Sequence, residues 1–294
     1  MRSCTLFISL FYAATCFGMT ESNELPQDLT YADKPVNSLC FYQAEKLPDK
    51  LSLADHCGIL FSNGNKPGYI KTGQHDVELI KKGFIGFEYR YVDERGTDNS
   101  PFTGYSYYKI IGNYHHDYTI YTINNTGGSG VFTSLYLVKR EGDELVIKSL
   151  PPGGDRCNGG ITDVSQHNQT VTVTVSVNVT PADLLDISKK NPHHLRAYDD
   201  LDACEAFCVG TAVYEINLQN KDKPMKFIAI NLAADSQGAA SLTHATNNKK
   251  ISIQDCFDEQ LYHYYHQVKH TLTPQELDTF MDKFNDSCAR KQTG

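Results

Sequence analysis

Thr170-Val171-Thr172-Val173-Thr174-Val175-Ser176-Val177-Asn178-Val179 alternates a small polar side chain with valine along its whole length. Successive side chains of a strand point to opposite faces, so this stretch puts valines on one face and hydroxyls on the other. That is the signature of an antiparallel sheet with one face packed and one face wet. The same period of two recurs upstream. From Phe84 to Val92, Phe87, Tyr89 and Tyr91 share a face opposite Glu88 and Arg90, and Tyr118 to Ile123, Val131 to Lys139 and Leu145 to Leu150 follow, rich in β-branched and aromatic residues. Arg95-Gly96, Asn125-Thr126-Gly127-Gly128 and Glu141-Gly142-Asp143 separate them as turns, the last giving the strongest hairpin signal. Val209 to Leu218 and Met225 to Leu232 return to strand around the polar turn Gln219 to Pro224.

Helical signals are local and sharp. Thr180-Pro181-Ala182-Asp183 offers a hydroxyl N-cap, a proline where its missing donor costs nothing, and a first-turn carboxylate. Asp199, Asp200 and Asp202 similarly lead a helix expected over Tyr198 to Phe207. At the C-terminus, Thr273-Pro274-Gln275-Glu276 is a capping box, and Leu277, Phe280, Met281, Phe284 and Cys288 follow on one helical face. Before it, Phe257, Leu261, Tyr264 and Val268 fall on one stripe of a helix expected from Ile253 to His270. The fold class is therefore α+β: a mainly antiparallel β-sheet meander with inserted short helices and a C-terminal helical hairpin.

Arg2 followed by the apolar run Leu6 to Ala14 and the small residues before Met19 reads as a signal peptide over residues 1–18, too short to span a bilayer. A flexible tether is expected over 19–39, a β-rich domain over 40–250 and the helical hairpin over 251–294, packed on the same core. The short charged head and the frequent Lys and Asn point to a bacterial exported protein, secreted or periplasmic after cleavage. Sequons at Asn124, Asn168, Asn178 and Asn285 would matter only on a eukaryotic route. Cys4 and Cys16 leave with the signal, so seven of the nine cysteines remain, in a compartment that oxidises thiols. Cys256 and Cys288 sit at the same end of the hairpin and are expected to pair, while Cys40 and Cys57 would close a small loop. Cys204 and Cys208, four apart on the expected helix, should each find a different partner.

A net charge of −8 and the absence of any basic run longer than two residues argue against nucleic acid as a partner. No second apolar stretch is long enough to span a membrane as a helix. The helical wheel puts Glu259, His263, His266 and His270 on a stripe opposite the apolar one, with spacings of four, three and four. Imidazole and carboxylate ligands so arranged suit a surface zinc or copper ion, although a solvated polar face has the same pattern. No other cofactor is indicated. Asp199, Asp200, Asp202 and Glu205 lack a calcium-loop pattern, and His115-His116 and His193-His194 read as surface residues.

Pro151 to Gly160 has the most unusual composition, with four glycines among residues 153–160. Asp155, Arg156 and Asn158 are the candidate binding residues of this loop, and a disulfide through Cys157 would pin it. The run Cys157-Asn158-Gly159-Gly160 resembles a stretch of the papain-like cysteine proteases in which the cysteine is structural. The nucleophile motif of that family is missing, and the chain has no tryptophan. Gly127-Gly128-Ser129-Gly130-Val131 likewise misses the second glycine of a serine-hydrolase elbow. The 18 tyrosines include a cluster at Tyr89, Tyr91, Tyr105, Tyr107, Tyr108, Tyr114, Tyr118 and Tyr121, which forms either a contact surface or the aromatic cover of a core. These features favour a secreted, disulfide-stabilised, non-enzymatic binding protein for an extracellular or host protein or glycan. The alternative is an extracellular hydrolase using a free cysteine or a histidine-bound metal.

Overall fold

The segments of alternating polarity form two antiparallel sheets. The computed structural model describes residues 25–44, 50–53, 68–73, 75–92, 103–167, 169–204, 208–220, 225–233, 252–267 and 269–290. The expected signal peptide, residues 19–24 of the expected tether and Cys57 lie outside them. A two-stranded ladder, β1 (Thr30–Tyr31) with β2 (Lys34–Pro35), and helix α1 (Ser38–Ala44) open the described chain. The strands β3 (Lys50–Ser52), β4 (Gly68–Lys71), β5 (Ile85–Val92), β6 (Gly104–Tyr114), β7 (Asp117–Asn125), β8 (Phe132–Glu141) and β9 (Glu144–Asp155) follow, with the short helix α2 (Val77–Lys81) between β4 and β5. Strands β4 to β9 pair in sequence order and β3 adds beside β9, giving a seven-stranded sheet. Gly142, at φ +63°, supplies the left-handed turn between β8 and β9.

A second sheet has five strands in the order β10 (Ile161–Gln166), β11 (Thr172–Val179), β12 (Gly210–Asn217), β13 (Met225–Leu232) and β14 (Thr271–Leu272). Val173, Val175 and Val177 of β11 face inward, opposite Ile216, Tyr214 and Ala212 of β12. Helix α3 (Pro181–Ser188) leaves β11 through a capping box in which Thr180 and Asp183 satisfy each other's backbone amides. Helices α4 (Ile253–Gln267) and α5 (Pro274–Phe284) flank β14, so the expected helical hairpin is tied into the sheet through its own connector.

Four consecutive strands of the large sheet, β6 to β9, are buried on both faces. Tyr108, Ile120, Tyr136, Val138, Leu145 and Ile147 pack on one side against Leu29, Val36, Cys40, Phe41 and Leu53. Tyr107, Tyr121, Leu135 and Leu150 pack on the other against Ile161, Val173, Val175, Val177 and Ile216 of the small sheet. A third core joins Val179, Ala212, Ile230, Leu232 and Leu272 to α3, α4 and α5, with Phe257 edge-on to Phe280 and Phe284.

Two expectations change here, and one reading left open is decided. Residues 25–39, expected within a flexible tether, supply Leu29, Val36 and Leu39, all at most 1% exposed, and hold an edge-to-sheet position through Arg140 Nη1, which donates to Thr30 O at 2.6 Å. No helix starts at Tyr198. That residue has φ +68°, Tyr198 N donates to Leu201 O, and Asp200 Oδ2 accepts from Arg196 N at 2.9 Å, so a carboxylate that would favour a helix N-terminus closes a turn on its own backbone instead. Residues 205–207 of that span lie outside the described ones. The tyrosines mostly serve the core: Tyr89, Tyr107, Tyr108, Tyr121 and Tyr136 are buried, and only Tyr91 of the expected cluster is largely exposed.

Candidate functional site at the glycine-rich end of the large sheet

Two turns meet at one end of the seven-stranded sheet. Between β7 and β8, the Asn125 amide replaces a strand ladder: Nδ2 donates to Gly128 O and Gly130 O at 2.9 and 2.6 Å, while Oδ1 accepts from Gly127 N at 2.6 Å. Between β9 and β10, Asp155 and Asn158 exchange backbone hydrogen bonds at 3.0 and 2.8 Å, with Arg156 at φ +46° and Gly159 at φ +77°. A Cβ on Gly154 would collide with Asn158 O and one on Gly160 with Arg156 O, so the composition of this loop is a requirement of its tightness.

The turns are fastened together. Asp155 Oδ1 accepts from Val131 N at 2.7 Å and pairs with Arg156 Nε at 3.2 Å. Thr133 Oγ1 donates to Gly154 O at 3.2 Å and accepts from Ile161 N at 2.7 Å. Tyr121 lies beneath, its hydroxyl donating to Ile161 O at 3.0 Å, and burial raises that hydroxyl's pKa so that it stays a donor. Cys157 is buried and bonded to Cys208, which anchors the loop to the strand-entry segment of the small sheet.

Beside these turns the β8–β9 ladder opens. Leu135 pairs with Leu150 and Thr133 with Gly154, so Pro151, Pro152 and Gly153 together stand opposite Ser134. Two prolines have no amide to give to a ladder, and the strand bulges away from its neighbour. The result is a cleft of about 740 Å³ lined by Phe132, Thr133, Ser134, Ser149, Leu150, Pro151, Pro152, Gly153 and Gly154, with the Phe132 ring 45% exposed. None of these nine side chains is ionisable.

Asp155, Arg156 and Asn158 thus share one turn, where Asp155 and Arg156 pair with each other and Asn158 is exposed. Phe132, Ser134 and Ser149 were not singled out from sequence; the Pro-Pro-Gly-Gly run inside a strand was the available signal. On α4, Glu259 Oε1 lies 3.8 Å from His263 Nε2, and His266 packs against Tyr262 with ring centres 4.3 Å apart. The helix ends at Gln267, so His270 leaves the stripe and stacks on Tyr265 at 4.1 Å. Among the described residues, no group of three His, Cys, Asp or Glu side chains is placed so that it could hold a metal ion. Cys256 and Cys288 are disulfide-bonded, as the sequence led us to expect. Cys40 is also disulfide-bonded, and the expected partner Cys57 lies outside the described residues. Cys208 is not on a helix, and Cys204, half-buried, belongs to neither the Cys157–Cys208 nor the Cys256–Cys288 bridge. Two sequon asparagines are buried: Asn124 accepts from Ser106 Oγ at 2.7 Å and Asn285 donates to Lys190 O at 3.0 Å.

No protein-family model matches the chain, and neither the curated proteins nor the solved structures contain a match. Among the described residues no helix is long and apolar enough to cross a membrane.

Proposed function

We propose that the chain is a secreted or periplasmic binding protein that recognises an extracellular or host protein through the cleft between β8 and β9. The observation that carries this reading is the cleft's lining: one exposed phenylalanine, two prolines and small hydroxyl side chains, with no acid, base or thiol among them. Such a surface offers an aromatic anchor with adaptable hydrogen bonding around it, the composition expected of a protein contact. Tight turns, the Asp155–Val131 bond and the Cys157–Cys208 bridge hold the anchor in place before binding, which lowers the ordering cost of association. A glycan fits less well, because no amide or carboxylate side chain lines the cleft to read sugar hydroxyls. The hydrolase reading loses Cys157 as a nucleophile, since its sulfur is bridged.

The test is a quantitative binding screen of the oxidised chain against a panel of purified extracellular proteins, followed by Phe132→Asp in any pair found. Loss of about tenfold or more in affinity, on the order of 1.4 kcal/mol, supports the cleft. Equal affinity of Phe132→Asp and the wild type for every pair found would show that recognition lies elsewhere.

A further inference from the structure

We propose that Asn178 is the position at which this fold accepts an N-linked glycan, and that Asn124 and Asn285 must stay bare for the chain to fold. This inference is independent of the cleft. The sequence holds four Asn-x-Ser/Thr acceptor sites, at Asn124, Asn168, Asn178 and Asn285, and Asn168 lies outside the described residues. An N-linked glycan is a bulky, hydrated group joined to the side-chain nitrogen, so it needs an amide that faces water and holds no contact of the fold.

Two of the three described asparagines fail that requirement. Asn124 is 1% exposed, its Oδ1 accepts from Ser106 Oγ at 2.7 Å, and Ser106 O in turn accepts from Ser38 Oγ at 2.8 Å. The amide thus lies where α1 is fastened to the large sheet, and a sugar on it breaks that fastening. Asn285 is 5% exposed, and its Nδ2, the atom a glycan takes, donates to Lys190 O at 3.0 Å and ties the end of α5 to the connection after α3. Asn178 is the opposite case. Its neighbours Val177 and Val179 are each 3% exposed and turn inward, so Asn178 lies on the outer face of β11, half-buried and opposite Thr211 of β12. Among the described residues nothing bonds to its side-chain amide, and its backbone N–H, donating to Gly160 O at 2.9 Å, holds the strand without it.

The folded chain also sets the timing. The donor is a lipid-linked oligosaccharide diphosphate: the Asn178 nitrogen bonds to the anomeric carbon as the carbon–oxygen bond to the diphosphate breaks, the lipid diphosphate leaves with the electron pair, and the nitrogen gives a proton to the transferring enzyme. The hydroxyl of this acceptor site belongs to Thr180, which is 1% exposed, donates to Asp183 Oδ2 and accepts from Asp183 N in the capping box of α3. Recognition of the site therefore precedes α3. At that stage the other acceptor sites are equally open, so folding sorts the products: chains carrying a glycan at Asn178 proceed, and chains carrying one at Asn124 or Asn285 stall with a buried contact unmade.

The test secretes the full chain from a glycosylating eukaryotic host and locates glycans on the soluble, disulfide-bonded product by electron-transfer mass spectrometry. A glycan is expected at Asn178 and none at Asn124 or Asn285. The Thr126→Ala/Ser287→Ala variant removes both internal acceptor sites while leaving their asparagines in place, since Thr126 is exposed and Ser287 half-buried. It should be secreted at least as well as the wild type and carry the same Asn178 glycan, which keeps the test readable if the wild type is retained in the cell. A second readout needs no sugar: in protein made in bacteria, Asn178→Gln should leave the urea midpoint unchanged, whereas Asn124→Gln and Asn285→Gln should each lower it. A bare Asn178 in the secreted protein, a glycan on Asn124 or Asn285 of correctly bridged secreted chains, or a midpoint lowered as much by Asn178→Gln as by the other two would each overturn the assignment.

Discussion

The backbone amide of Asp202 donates a hydrogen bond to Gln254 Oε1 at 2.7 Å, and Nε2 of the same glutamine donates to Asp258 Oδ1 at 2.8 Å. One amide side chain therefore fastens the turn-rich connection around residues 196–204 to α4 and holds Asp258 among other carboxylates. Burial raises Asp258 to about 6 and raises Asp202 as well. The charges of Asp202 and Asp255 add to the shift of Asp258, and the Gln254 hydrogen bond opposes it.

Asp258 should make the fold more stable in mild acid. Its folded pKa lies above the unfolded value of 3.8, so between the two the folded state binds the extra proton, and this contribution grows as the pH falls through 6 and is lost above it. Solvent reaches the half-buried carboxyl, so the gain between pH 7.5 and 5 is on the order of 1 kcal/mol rather than the full value of the shift. Urea midpoints for wild type and Asp258→Asn, measured in chelator at both pH values, should converge at pH 5 and separate at pH 7.5, with the variant the more stable.

Glu276 works in the opposite sense. The Thr273 amide, Lys269 and the Thr273 hydroxyl hold its carboxylate at about 2, so the stability it contributes is present above its unfolded pKa of 4.5 and disappears as the pH falls toward 2. Thr273→Ala should cost about 1 kcal/mol at neutral pH by removing the N-cap of α5. Glu276→Gln should flatten the acid limb of the stability profile between pH 4.5 and 2, read by the urea midpoint.

The Cys157–Cys208 bridge spans 51 residues and the Cys256–Cys288 bridge 32. Loop-closure entropy gives each a stabilisation of about 4 kcal/mol, so replacing either pair by serine should lower stability by roughly 2–4 kcal/mol in urea unfolding. Only the Cys157/Cys208 variant should also loosen the turn beside Phe132, measured as faster amide exchange of Val131 and Ile161, whose amides are bonded to Asp155 and Thr133.

Phe41 is fully buried and packs edge-on to Tyr108, ring centres 4.8 Å apart, and parallel to Tyr136. Phe41→Ala should cost about 3–5 kcal/mol, as loss of a core aromatic does. An unchanged urea midpoint would show that the N-terminal segment does not cover the large sheet.

Much of the sheet architecture was legible because a period of two is a direct geometric consequence of strand pleating. The Thr-Val alternation of β11, the Gly142 turn and the Thr180 and Thr273 capping boxes all encode their structure locally. The tyrosine cluster left two readings open because the side chain suits either site: a ring fills a core and a hydroxyl tolerates water. What decides between them is which strands cover each face: Tyr107 accepts from Asp76 N and Tyr89 donates to Asn125 O, whereas Tyr108 is buried with its hydroxyl unpartnered, so packing rather than a hydroxyl partner fixes its place. The segment around Leu29 and Val36 is built from elements too short to show any period, so its burial is a tertiary fact. The cleft was unreadable for a related reason, since it exists only because Pro151 to Gly153 stand opposite a single residue of the neighbouring strand.

The inward valines of β11 do not all serve the same core. Val173, Val175 and Val177 abut the large sheet, whereas Val179 belongs with the helical cap, and Tyr214 of β12 touches both. A single pair of strands thus acts as a common spine, so stripping the cap exposes apolar surface on the very strands that close the large sheet, and the reverse holds equally. A chain long enough for two independently melting bodies is in this way bound into one cooperative transition, which a calorimetric trace should register as a lone endotherm.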